Sequence, residues 1–144
     1  MAMKRNIAVA MVSKLSEIAD LKYIAFGIVR LGAGDFQIDE FPAVQIYNTE
    51  ESRVHLHRCI QVDWGLNLEI IMRTTTSGEI NLFDLLDLED VIEQKLWSDP
   101  KLGLTSDFVH LLHNGSYTVL PLENDIYIQT IRLTARYLKR LVGT

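Results

Sequence analysis

From Ile60 to Met72 the chain alternates without a break: Ile60, Val62, Trp64, Leu66, Leu68, Ile70 and Met72 hold the even positions, opposed by Gln61, Asp63, Gly65, Asn67, Glu69 and Ile71. A period of two sustained over this length is a strand with one buried face and one largely polar face. Such a strand rules out an all-helical fold and requires other elements to cover its apolar side.

Two segments offer that cover. Ile7, Met11, Leu15 and Ile18 recur at steps of four, four and three, with Val12 beside them, which predicts an amphipathic helix over Lys4–Ala19. After a loop at 74–78, Asn81 with Asp84 three residues on resembles a helix start. Leu85, Leu88, Ile92 and Leu96 then form a second stripe, with Asp84, Asp87, Asp90 and Glu93 outside it, and Asp99-Pro100 ends the helix. The early acidic residues suit the positive end of the helix dipole.

Further strands are expected over 23–31, with Ile24, Phe26 and Ile28 on one face, and over Ala43–Tyr47. Between them runs a polar connection, 32–40, closed by Pro42. Phe108–His113 and 116–120 read as two strands about an Asn114-Gly115 turn. A long strand follows a Pro121 corner, from about Ile126 to Leu138. It places Tyr127, Ile131, Leu133, Ala135 and Tyr137 on one face and Thr130, Arg132, Thr134 and Arg136 on the other. The sum is an α+β fold: a mostly antiparallel sheet of five to six strands with two helices packed on one face, all within a single domain, 1–144. The opposite, polar face is left with nothing in the chain to cover it. Solvent or a partner subunit would do so.

Composition narrows the function. The net charge is −5, with neither sign dominating a long block, which argues against a protein that grips nucleic acid through its phosphates. No run approaches the apolar length of a membrane span, and the apolar stretch after Lys4 and Arg5 is too short for a signal peptide. The single cysteine, Cys59, excludes an internal disulfide and fits synthesis in a cytoplasm. Gly32-Ala-Gly34 lacks the third glycine and following helix of a nucleotide fingerprint, and no other catalytic motif occurs.

His55, His57 and Cys59 are the one tempting cluster, because in an extended segment they share a face and are zinc-ligand types. The first and third would then stand about 13 Å apart, whereas each zinc ligand atom must lie about 2.0–2.3 Å from the ion. Two of them can share an ion; three need a bulge, or His110 or His113 from another strand. A small metal-binding module or enzyme built on these residues is the alternative from a different functional class. On the polar faces of the two longest strands, Arg132 and Arg136 oppose Asp63, Asn67 and Glu69. Within one subunit such pairs contribute roughly 0.2–1 kcal/mol each; between subunits they set docking orientation.

Phe41-Pro-Ala-Val-Gln-Ile-Tyr47, the alternating strand to Met72, and Leu96-Trp-Ser-Asp-Pro-Lys-Leu-Gly103 fall in an element order that resembles the tail-terminator or minor-tail proteins of tailed bacteriophages, over nearly the whole chain. The resemblance implies a structural, non-enzymatic virion protein made in the host cytoplasm and needing no cofactor. It implies a homo-oligomeric ring, a hexamer, at the head-proximal end of the tail tube. That ring stops tube polymerisation and contacts the tail tube protein and a neck or connector protein. DNA would pass through its lumen unheld, which suits acidic copies. Another tail-completion or neck protein of similar fold, or a cellular adaptor, are the neighbouring alternatives. Interface residues expected from the pattern are Asp35, Gln37 and Asp39 on the connecting loop, with His55, His57, Asp63, Glu69, Arg132 and Arg136 on the strands.

Overall fold

A computed structural model describes residues 2–30, 36, 38–73, 78–99, 101–104, 107–119 and 126–141. The elements run α1 (Met3–Ser16), β1 (Tyr23–Phe26), β2 (Ala43–Leu56), β3 (Cys59–Arg73), α2 (Gly78–Trp97), β4 (Phe108–Val119) and β5 (Ile126–Arg140). The five strands form one sheet in the order β1-β2-β3-β5-β4. β1 runs parallel to β2 and every other pair is antiparallel. The α+β reading therefore holds, with five strands among the described residues.

β3 is the centre of the sheet, and its even positions face the core, as its alternation predicts. Ile60, Val62, Trp64, Leu66, Leu68 and Ile70 are buried under the helices, each contributing roughly 1.5–3 kcal/mol by leaving water. Across the ladder, Ile131, Leu133, Ala135 and Tyr137 of β5 continue the same layer. Ile7, Met11 and Leu15 of α1, with Ile18 just beyond it, and Leu85, Leu88, Ile92 and Leu96 of α2 close over it. A helix of α1's length is marginal alone, so this packing holds it. Asp84, Asp87 and Asp90 are exposed, as expected, whereas Glu89 is buried and accepts a hydrogen bond from Gln129 Nε2 at 3.2 Å.

Four of the expected element bounds and turns need correction. The first strand stops at Phe26, because Gly27 adopts φ +81° and turns the chain away; Ile24 and Phe26 pack on the core, but Ile28 is exposed. α2 begins at Gly78 rather than Asn81, so Asn81 is the fourth residue of the helix and not the residue that precedes it. β2 is not five residues long but extends to Leu56, paired throughout with β3. Asn114-Gly115 is no hairpin turn: both halves of β4 pair with the same strand, β5, and the two residues bulge out between His113 and Ser116, with Gly115 at φ +109°. The Pro121 corner and the loop at 74–77 lie outside the described residues.

The sheet face away from the helices is not wholly free, contrary to the expectation that nothing in the chain covers it. At one end Phe36 and Phe41 pack with Tyr23, Ala43, Ile71, Ile126 and Ile128 into a second, smaller cluster. Ile71 is the apolar residue on the polar side of β3, and this cluster is what it serves.

Candidate functional site: the open face of the sheet

Register places each polar residue of this face. Gln45 stands opposite Glu69 and Tyr47 opposite Asn67 on β2 and β3; across β5, Glu69 faces Thr130, Asn67 faces Arg132, Gly65 faces Thr134 and Asp63 faces Arg136. Two bulges flank the middle of this array. On β2, Thr49 and Glu50 oppose the single residue Gly65; on β4, Asn114 and Gly115 oppose the single residue Arg132. Between the bulges lies a cleft of about 350 Å³ lined by Glu50, Ser52, Asp63, Asn114, Thr134 and Arg136.

The charges in this cleft are largely satisfied by one another. Arg136 donates from Nε and Nη2 to the two Asp63 oxygens at 2.8 and 3.0 Å, a two-pronged pair that fixes both side chains. Asn114 Nδ2 donates to Thr134 Oγ1 at 2.6 Å. Arg132 does not reach Asn67 or Glu69; its guanidinium lies over the Tyr117 ring, 5.8 Å from the centroid.

Toward the smaller cluster the face becomes a connected network. Gln45, only 2% exposed, donates to Glu69 Oε1 at 2.8 Å and to the Arg30 carbonyl at 3.3 Å, while its own carbonyl accepts from the Arg30 N–H at 3.0 Å. Its side chain thus substitutes for a strand where β1 has ended. Arg30 in turn donates to both Glu40 oxygens at 2.8 and 2.9 Å and stacks over Tyr23 and Phe36. The sequence pattern singles out Glu69 here and, at the end of the expected contact loop 32–40, reaches Glu40, but it points to neither Gln45 nor Arg30. A glutamine inside the apolar run Ala43-Val44-Gln45-Ile46 was the signal for the network, since a buried amide must find partners.

Tyr47 donates to Glu69 Oε2 at 3.2 Å and accepts from Asn67 Nδ2 at 3.4 Å. Burial, first, holds its phenol above the ordinary 10.0; the Asn67 bond works the other way and the Glu69 charge adds to the rise. Tyr137 is raised too, again chiefly by burial. A phenol whose pKa is higher folded than unfolded contributes stability that is intact below the unfolded value, about 10, and is lost as pH climbs through the folded one. Thermal melts should therefore show a drop in midpoint beginning near pH 10, and Tyr47→Phe should make that drop shallower. An unchanged alkaline profile in Tyr47→Phe would remove Tyr47 as a contributor.

The remaining expected residues do not converge. His55 is in β2 opposite Ile60, on the helix side of the sheet beyond the β2 bulge; His57 is in the two-residue turn; Cys59 starts β3 opposite Leu56. The three are therefore spread around a hairpin rather than along one extended face, and among the described residues no group of three or more His, Cys, Asp or Glu side chains is placed to hold a metal ion. Asp39 is exposed in a 3-10 turn, Ile38–Glu40, while Asp35 and Gln37 lie outside the described residues. No helix of the described residues is long and apolar enough to cross a membrane.

No family model and no curated protein matches the sequence. Among solved structures the chain is similar to one chain of the virion of a native gene transfer agent particle, with a TM-score of 0.61 over 92% of this chain and 94% of that one, at 11% identity. Identity that low carries fold and no more, so what the two share is an overall fold over almost their full lengths.

Proposed function

We propose that the chain is a structural component of a phage-like virion and that it acts there as a tail terminator. In this role copies assemble into a ring, a hexamer by the resemblance of its sequence, on the head-proximal end of the tail tube, stop tube growth and present a surface to the neck. The observation that carries the virion reading is the full-length fold likeness to a virion chain. The terminator reading rests on the sequence resemblance. The internally paired polar face agrees with both: its side chains are held in place by each other, as a docking surface needs. The negative charge suits a conduit that DNA crosses without being gripped.

Deleting the gene from a producing strain and imaging the particles tests both levels. The expected result is tubes of uncontrolled length that fail to join heads. Tubes of normal length with unjoined heads would move the role to the neck. Absence of the protein from purified particles, with normal assembly in the deletion strain, would overturn the proposal.

A further inference from the structure

Two surfaces outside the open face are unpartnered among the described residues and complement each other. The outer side of α2 exposes Phe83, Leu86 and Val91 beside Asp84, Asp87 and Asp90. A helix that buries Leu85, Leu88, Ile92 and Leu96 on one side has no need of three more large apolar residues on the other. Next to them opens a groove of about 420 Å³ lined by Asp20, Pro42, Met72, Asp84, Asp87 and a single cation, Lys22.

The tip of the β2–β3 hairpin is the opposite in charge. Arg58, in the turn, and Lys139, opposite Ile60 near the end of β5, are exposed and have no acidic partner among the described residues. Arg140 joins them and spends part of its charge on Asp107, at 2.9 Å. Exposed Leu56 and Leu141 sit among these cations, and the Leu141 N–H holds the turn through the Arg58 carbonyl. The turn residue Arg58 has φ +67°, so its side chain is carried on a tightly folded tip.

The groove lies at the Met72 end of β3 and the basic tip at the Cys59 end, separated by about 43 Å of extended strand. One molecule therefore cannot bring them together, but two can. We propose that the basic hairpin tip of one copy docks on the acidic, apolar outer side of α2 in the next. Leu56 and Leu141 pack toward Phe83, Leu86 and Val91, while Arg58 and Lys139 face Asp84 and Asp87. Because the two patches differ, the contact is head-to-tail and leaves one of each unused on every pair; it closes only as a ring or continues as a filament. This rests on the assembly reading above for its choice of partner, and it supplies the contact by which identical copies enclose a lumen.

Charge exchange tests it. Sedimentation velocity of the wild-type protein should show concentration-dependent association that weakens near 1 M salt, where the screening length is about 3 Å. Arg58→Glu/Lys139→Glu alone and Asp84→Lys/Asp87→Lys alone should each associate at least about tenfold more weakly, since like charges then meet. An equimolar mixture of the two should associate again, because every tip then finds an α2 of opposite sign. Far-ultraviolet circular dichroism checks folding, and Asp84→Asn/Asp87→Asn gives an intermediate loss without charge reversal. A strictly monomeric wild type, variants that associate as wild type does, or a mixture of folded variants that stays monomeric overturns the contact. Such an outcome with the protein still present in particles leaves the virion reading standing. Rescue by mixing with the protein absent from particles does the reverse.

Discussion

Gly65→Ala is expected to destabilise the protein by about 1–3 kcal/mol, the usual cost of forcing atoms into a packed site. A Cβ at residue 65 would point to the open face and lie 2.4 Å from the Glu50 carbonyl oxygen and 2.7 Å from Thr49 Oγ1. The first of these is backbone and cannot rotate aside. To admit even a methyl group the β2 bulge must lift away from β3, and the lift would break the register that resumes at Glu51 opposite Trp64. For a chain of this size the loss reads as a fall in melting temperature of roughly 2–4 °C per kcal/mol. Thr49→Ala removes the second clash but not the first, so Gly65→Ala/Thr49→Ala should stay well below wild type. A double variant that recovers fully would show the hydroxyl, and not the carbonyl, to be the obstacle. The bulge also forms one wall of the cleft that holds Asp63 and Arg136, so the variant couples stability to the candidate interface.

That glycine marks the boundary of what the sequence makes legible. The alternation around it identifies β3, its buried face and, through the matching pattern of β5, the layer under the helices, because a strand facing a core has to place an apolar residue at every second position. A glycine in such a run also signals a close backbone approach, but not from which strand. β2 illustrates why. After Tyr47 it has no buried face, so the apolar signal fades at Asn48 although pairing continues to Leu56. The bulge at Thr49 and Glu50 then shifts the parity, which is why His55 emerges on the helix side. Hydrogen-bonded pairing is a property of two strands, and one strand's hydropathy cannot report it.

The candidate site divides in the same manner. Asp63 and Arg136 sit on polar faces that the pattern identifies, and their pairing needs only the register of β3 against β5. Gln45, Arg30 and Glu40 meet through a connection in which no periodicity operates, so only the folded chain brings them together. The Asn114-Gly115 pair misleads for a related reason. It carries hairpin chemistry, but β5 is long enough to pair with both of its flanks, and the pair is absorbed as a bulge.

Phe36→Ala is expected to cost about 3–5 kcal/mol, comparable to truncating an aromatic ring in a main core. The residue belongs to a connection whose glycine-bearing, polar composition suggests a loop that can be shortened without harm to the fold. Its ring argues otherwise. Phe36 is 8% exposed, meets Tyr23 edge-on at 5.7 Å and Phe41 at 5.5 Å, and lies under the Arg30 guanidinium, 5.2 Å from its centroid. Removing the ring uncovers Ala43 and Ile71 on the sheet and deprives Arg30 of one of its two aromatic supports, which in turn loosens the Glu40 ion pair and the clamp from Gln45. Chemical denaturation should therefore show a large loss of midpoint for Phe36→Ala and a much smaller one for Phe36→Leu, which keeps most of the buried volume. Asp39→Ala, an exposed change in the same connection, should fall within about 0.5 kcal/mol of wild type. If Phe36→Ala were equally mild, the connection would be a surface loop and free to serve as a contact element along its whole length. If it is severe, partner contacts from this segment must come from its exposed residues, because the ring already belongs to the sheet.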